Sequence, residues 1–176
     1  MFHTKRTIIA LIMTLMMLGI PLLMTPLPAA AQPGNGSLTT AIFQVIPGIG
    51  TFTGTLTTTS FTLINGVINA VGTVTGTLTN SAGQVLGTVT NQPVTIPLTG
   101  FTGTCTILTL HTGAINLSLL GLNISLSPID LVITATAAPG NLLGNLLCAV
   151  VHLLDSNGPL TALTSLLNQI LGAIRI

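Results

Sequence analysis

The chain has 176 residues, of which 48% are hydrophobic and only 3% are charged, with a formal net charge of +1 at pH 7. This length accommodates one domain with a hydrophobic core and is short for two. The scarcity of lysine and arginine excludes the clustered basic surface that binds nucleic acid, so no nucleic-acid partner is expected. Disorder fits poorly, because disordered chains are typically charged and poor in β-branched residues.

The N-terminal segment has the three parts of a secretory signal peptide. A positively charged start precedes an uncharged apolar run at 8–24, and alanines follow at 29–31. We therefore predict a signal peptide at 1–31 and a mature N-terminus near Gln32. The alternative is a retained membrane anchor, because the apolar run approaches the roughly 18 residues that a span requires. Export would place the mature protein in the extracellular space or in the cell envelope.

Residues 32–50 are expected to form a short leader and a first strand, and the segment 51–137 an antiparallel β-domain. Threonine alternates with apolar residues or glycine through 51–59 and again through 73–79. This two-residue period is typical of a strand with one buried face. Threonine is β-branched and polar, which suits the solvent-facing side.

The two threonine-rich runs are predicted to form one long hairpin, with strands at 51–64 and 67–79. An Asn-Gly pair at 65–66 is a strong hairpin signal, because both residues tolerate a positive φ. Rows of threonine are also found on ice-binding and adhesive surfaces. The solvent-facing side of an ordinary twisted sheet explains them more simply.

Further strands are predicted at 84–91, at 105–110 and at 131–137, and two alternating runs flank a bulge or turn at 119–121. Prolines within 93–99 predict an edge strand or an irregular connection, because proline cannot donate to a sheet ladder. About eight or nine strands with closely spaced turns are typical of a sandwich or barrel.

Residues 138–176 change to helical periodicity. Asn141 is placed to cap a first helix whose wide leucine-rich face predicts burial on most sides. From Leu160 onward, apolar residues recur with the spacing of an amphipathic helix. The predicted fold class is therefore mainly β with C-terminal α: an antiparallel β-sandwich or barrel-like domain covered by a C-terminal helical hairpin.

Cys105 and Cys148 are the only two cysteines. An even count in an exported chain favours a disulfide, which would join a predicted strand to the first helix. A redox or catalytic thiol is the alternative. No C-x-x-C motif is present, and no basic residue lies near either cysteine in the sequence to favour a thiolate.

The chain has few residues that could bind a metal or take part in catalysis. His152 follows Cys148 by one helical turn, but further ligands for a zinc site are scarce. A hydrolase would require His111 or His152 to meet Asp130 or Asp155 beside a serine, and the G-x-S-x-G motif is absent. Catalysis generally requires titratable side chains with shifted pKa values, and this chain has few titratable side chains. We therefore expect no metal, no cofactor and no enzymatic activity.

Three segments occur together in this chain: C-x-I-L-x-L at 105–110, Leu-Ser-Leu-Leu-Gly-Leu at 117–122 and Gly-Asn-Leu-Leu-Gly-Asn-Leu-Leu-Cys at 140–148. In this combination the chain resembles a group of exported bacterial proteins without an established activity, over most of the segment from Thr51 to Leu154. The resemblance implies that the two cysteines pair, because each belongs to a recurring segment. It implies no catalytic residue.

The sequence favours a non-enzymatic secreted or cell-envelope protein that acts by surface association or self-assembly through uncharged threonine-rich and apolar faces. Its partner would be another copy of itself or the envelope surface. The alternative is a binder of an apolar, lipid-like ligand between the β-domain and the leucine-rich helices. An enclosed apolar cavity of about 300 Å³ or more would favour the ligand binder. Histidines and aspartates gathered in one cleft would favour an enzyme.

Overall fold

The computed structural model describes residues 36–119 and 121–174. The predicted signal peptide at 1–31 and the start of the leader lie outside the described residues. The described part contains β1 (Leu38–Ile46), β2 (Gly50–Ile64), β3 (Val67–Thr79), β4 (Val85–Thr104), β5 (Ile107–Thr112), β6 (Ile115–Leu119), β7 (Leu122–Leu126), β8 (Asp130–Thr134), α1 (Leu142–Asp155) and α2 (Leu160–Ala173). Neither helix is both long and apolar enough to cross a membrane.

The strands form a nearly closed, barrel-like antiparallel sheet, and the two helices pack against it, which confirms the predicted fold class. The main sheet has the order β1-β2-β3-β4-β5-β8, and β6 and β7 form a separate hairpin. The side-chain oxygen of Gln44 on β1 accepts a hydrogen bond of 2.7 Å from the backbone N–H of Ser127. This bond connects the first strand to the segment between β7 and β8.

The predicted long hairpin is confirmed as β2 and β3. Asn65 and Gly66 have φ values of 51° and 78°, as a tight turn between Ile64 and Val67 requires. Farther along the hairpin, the inward-facing Gly54 and Gly76 lie opposite each other, and a Cβ at Gly76 would collide with the ring of Phe52. The glycines that alternate with threonine therefore make room for a buried aromatic ring.

The segment with the two prolines is part of one continuous strand, β4, and is not an irregular connection. From Val85 to Pro97 this strand pairs with β3, and from Leu98 onward it pairs with β5. The carbonyl of Pro97 accepts a hydrogen bond of 2.8 Å from the N–H of Gly113. Because N–H and C=O of a strand residue point to the same side, the missing donor of Pro97 faces away from β3, so the ladder between β3 and β4 loses no hydrogen bond there.

Two boundaries in the second half of the β-domain differ from the predicted ones. The strand predicted at 105–110 begins at Ile107, and Cys105 lies in the two-residue turn between β4 and β5. The last strand ends at Thr134, before the predicted end at 137. The predicted turn at 119–121 is confirmed, because Leu119 pairs with Leu122 and Gly121 has a φ of 90°.

The first helix is buried along one stripe, half-buried on both flanks of that stripe and exposed on the remaining side, so the predicted burial on most sides is met only in part. It buries Gly144, Leu147 and Val150, whereas Leu142 is 63% exposed. A Cβ at Gly144 would collide with the carbonyl of Thr136, so glycine permits close approach of the helix to the chain after β8. Asn141 does not cap the helix with its side chain, which donates instead to the Thr136 carbonyl at 3.1 Å.

The second helix buries its apolar side, as its spacing predicts. Leu163, Leu167, Ile170 and Leu171 lie in one cluster with Leu147 of α1 and the inward-facing residues of the strands, including Phe52 and Phe61. Sheet and helices therefore share a single core, and separating them would expose apolar surface.

Two buried threonines differ in their hydrogen bonding. Thr58 on β2 is fully buried, and its hydroxyl has no hydrogen-bond partner among the described residues. Thr112 on β5 is 1% exposed; its hydroxyl donates to the carbonyl of Ile129 at 2.9 Å and accepts from the N–H of Ile129 at 3.0 Å. An unpaired buried hydroxyl costs free energy that a paired one does not.

We predict opposite effects of the same isosteric substitution at these two positions. Thr58→Val should raise the free energy of unfolding by about 1 kcal/mol, because it removes an unpaired polar group. Thr112→Val should lower it by about 1–3 kcal/mol, because it leaves the N–H of Ile129 without its partner, whereas the carbonyl of Ile129 keeps the bond from the backbone N–H of residue 112. Urea denaturation of both variants measures the two changes. Equal losses of stability would contradict the assignment of Thr58 as unpaired.

Candidate functional site

Cys105 and Cys148 form a disulfide. The bond joins the turn between β4 and β5 to the middle of α1, so the expectation that it joins a strand to the helix is corrected. Both cysteines are partly buried. The bond fixes the first helix to the sheet on the side where α1 contacts β4 and β5.

His152 lies beside the disulfide, one turn further along α1. One imidazole nitrogen and the two sulfur atoms lie within 4.8 Å of one another. Zinc requires thiolate sulfur, and a disulfide has none to offer, so the exposed imidazole is the one strong ligand of this group in the oxidised protein. Asp155, at the end of the same helix, does not belong to the group.

A second cluster of polar side chains crosses three strands on the outer face of the sheet. His111 on β5 lies directly opposite Asp130 on β8, and their Nδ1 and Oδ1 atoms are 2.8 Å apart. The other ring nitrogen, Nε2, is 3.1 Å from the hydroxyl of Thr102 on β4. The sequence left open which histidine would meet which aspartate, and the structure brings together this pair.

The order of hydroxyl, imidazole and carboxylate is that of a catalytic triad, and the three side chains lie on an exposed surface of the sheet. Acyl transfer needs a reacting position that is close to oxyanion donors and screened from water. All three side chains are solvent-accessible, and none of them lines the surface pockets of 360, 320 and 340 Å³ that are found elsewhere among the described residues. In this setting the hydrogen bonds tie β4, β5 and β8 together.

The threonines of β2 and β3 form an ordered array. Thr51 pairs with Thr79, Thr53 with Thr77, Thr55 with Thr75, and Thr57 with Thr73. We call these eight residues the threonine face. All are exposed or half-buried, and the chain from β1 to the end of β4 contains no Asp, Glu, Lys, Arg or His.

A bulge in β2 creates this array. Close to the turn, each pair joins one odd-numbered and one even-numbered residue; Ile64, for example, pairs with Val67. The register shifts between Thr58 and Ser60, and beyond it Thr57 pairs with Thr73. Because a one-residue shift moves a strand's side chains to the opposite face, the bulge places the threonines of both strands on the same side.

Strand β1 continues these rows with apolar residues. Phe43 pairs with Thr53 and Val45 with Thr51, and the two apolar side chains are 75% and 65% exposed. The strand is the first of the sheet order, and no described strand pairs with its outer edge. Phe43 and Val45 lie on the same side of β1, so they form a small apolar patch beside the threonine face.

Three surface features are therefore candidates for a functional site: the disulfide beside His152, the Thr102–His111–Asp130 hydrogen bonds, and the threonine face with the β1 edge. No family model, curated protein or solved structure matches the chain. No role is transferred to these features from another protein. Of the three, the threonine face with β1 is the largest and spans three neighbouring strands.

Proposed function

We propose that the chain is a non-enzymatic secreted or cell-envelope protein that acts by surface association or self-assembly through its threonine face. The observation that carries this proposal is the pairing of eight threonines in register beside the exposed Phe43 and Val45, in strands without an ionisable side chain. Regular uncharged hydroxyl and methyl groups are suited to contact and offer no group for acid–base chemistry.

The threonine face is suited to contact because covering it requires no desolvation of charged groups and meets no charge repulsion. Burying a charged group costs far more than burying a hydroxyl that finds a hydrogen-bond partner. Like charges keep soluble proteins apart, and the four strands β1 to β4 carry none. The threonine face can therefore be covered by another surface at a small electrostatic cost.

The disulfide supports the proposed location. Disulfides form and persist in oxidising compartments, which include the extracellular space and the bacterial periplasm. The Cys105–Cys148 bond is compatible with such a compartment. Together with the predicted signal peptide, it favours a secreted or cell-envelope protein.

The alternative, an apolar ligand held between sheet and helices, stays a prediction without an observation in its favour. The surface pockets of 360, 320 and 340 Å³ lie on the β6–β7 hairpin, at the turn between β1 and β2, and between β4 and β6. The seam between the sheet and the helices is occupied by buried leucines, including Leu147, Leu163 and Leu167.

Placing charge on the threonine face tests the proposal. We expect Thr53→Lys/Thr55→Lys to weaken self-association and retention on isolated cell envelopes about tenfold or more, equivalent to about 1.4 kcal/mol. The matched control is Asn123→Lys/Ser125→Lys, which adds the same charges at the same spacing to exposed positions of β7. Sedimentation velocity and a pull-down with envelope fragments measure both effects.

The control variant should behave like the wild type. If both double variants associate as the wild type does, the threonine face is not the contact surface. If both lose association equally, net charge alone is responsible, and the face has no specific role.

A further inference from the structure

We propose that the outer edge of β1 pairs with β1 of a second copy of this chain, in antiparallel orientation about a twofold axis at Ile42. This inference rests on the proposed function, because it names the partner in self-assembly. The occupant of the edge is thus another protomer, and the contact joins two threonine faces into one.

The first argument is that β1 lacks the protection that the other free edges have. Natural sheets protect edges with charged residues, prolines, bulges or short strands. Strand β8 is five residues long and begins with Asp130, and the part of β4 that precedes its pairing with β5 contains Pro93. Strand β1 is nine residues long, pairs with β2 without a register shift, and contains neither charge nor proline.

The second argument is that β1 is complementary to itself. With the axis at Ile42, Leu38 lies opposite Ile46 of the second copy, so the whole strand of nine residues finds a partner. The inward-facing Ile42, which is 3% exposed, meets its own counterpart, so the core sides of the two sheets coincide. On the outer side, Phe43 meets Ala41 of the second copy, a large side chain beside a small one.

The third argument is the continuity of the surface. Ala41 and Phe43 of β1 pair with Thr55 and Thr53 of β2, so the rows of the threonine face already extend onto β1. An antiparallel pair of β1 strands would carry these rows into the second copy. Main-chain hydrogen bonds would supply the affinity, and the alternate side chains would set the register, as in other strand-addition complexes.

Charge at the edge tests the pairing. The mature, oxidised wild-type protein should sediment as a concentration-dependent dimer, whereas Phe43→Lys should be monomeric at the same concentrations. Val132→Lys is the matched control, because it replaces an exposed apolar residue on β8 and should leave the dimer intact. Ala41→Lys is a second edge variant that replaces a small, exposed residue, and it should also be monomeric.

Cysteine cross-linking tests the register. A mixture of Ala41→Cys and Phe43→Cys proteins should form disulfide-linked heterodimers faster than either variant alone forms homodimers, because the axis at Ile42 places position 41 opposite position 43. A preference for homodimers of either variant would overturn this register.

The outcomes separate this inference from the proposed function. If both edge variants keep circular dichroism and thermal melting like the wild type and remain dimeric, the β1 edge is not the contact. If they remain dimeric while Thr53→Lys/Thr55→Lys loses association, the threonine face is supported and edge pairing is overturned. A wild type that is monomeric throughout yet binds envelopes overturns edge pairing and supports surface association.

Discussion

Loss of the Cys105–Cys148 bond is expected to lower the free energy of unfolding by about 4 kcal/mol, the largest effect of any change considered. The chain-entropy model gives this value for a separation of 43 residues. The bond restricts the unfolded chain, and in the folded protein it holds α1 against the turn that follows β4. Both effects disappear together when the cysteines are replaced.

The measurement compares urea denaturation of the mature protein with that of Cys105→Ser/Cys148→Ser. Reductant should destabilise the wild type to about the level of the double variant and leave the double variant unchanged. A difference below about 1 kcal/mol would mean that the bond adds little to the packing of the helix.

Replacement of Asn168 on α2 is expected to have the second largest effect. Its side-chain oxygen accepts the N–H of Phe61 at 2.8 Å, and its amide nitrogen donates to the carbonyl of Phe61 at 2.8 Å. The pairing of β1 with β2 ends at Thr58, so the helix amide takes the place of a neighbouring strand beyond that point. Asn168 therefore satisfies both backbone groups of a strand residue whose ring is buried.

Asn168→Leu should lower the free energy of unfolding by about 2–4 kcal/mol, because two partly buried backbone groups lose their partners. Gln169→Leu is the matched control: it is the next residue on the helix, it is exposed, and its amide contacts Ser165 at 3.4 Å. Urea denaturation of the two variants measures the difference. Equal stability of both would contradict a structural role for the Asn168 amide.

The sequence correctly predicted the elements that are determined by neighbouring residues. The alternation of threonine with apolar residues and the Asn-Gly turn are properties of neighbouring residues, and they place the β2–β3 hairpin correctly. The spacing of leucine and isoleucine in α2 likewise marks its buried side. These patterns act over one strand, one turn or one helix, so they can be read without knowing the fold.

The sequence could not predict features that depend on pairing between distant segments. The bulge in β2 aligns threonine with threonine. The apolar residues of β2 switch parity across it, from Phe52 and Leu56 to Phe61 and Leu63, but this switch does not reveal which residues of β3 lie opposite. The hydrogen bond between His111 and Asp130 depends on the register between β5 and β8. These two strands are neighbours in the sheet, but the β6–β7 hairpin separates them in the sequence. The two hydrogen bonds between the Asn168 side chain and the Phe61 backbone join residues 107 positions apart. The helical spacing identifies Asn168 only as a polar residue.

Sedimentation velocity of the mature, oxidised wild-type protein at increasing concentration, in low and in high salt, tests most directly whether the molecule acts by contact through an uncharged face. We predict reversible association that salt does not weaken, because no ion pair contributes to the threonine face or to the β1 edge. Association that high salt abolishes would contradict this account, as would a monomer at every concentration that also fails to bind cell envelopes.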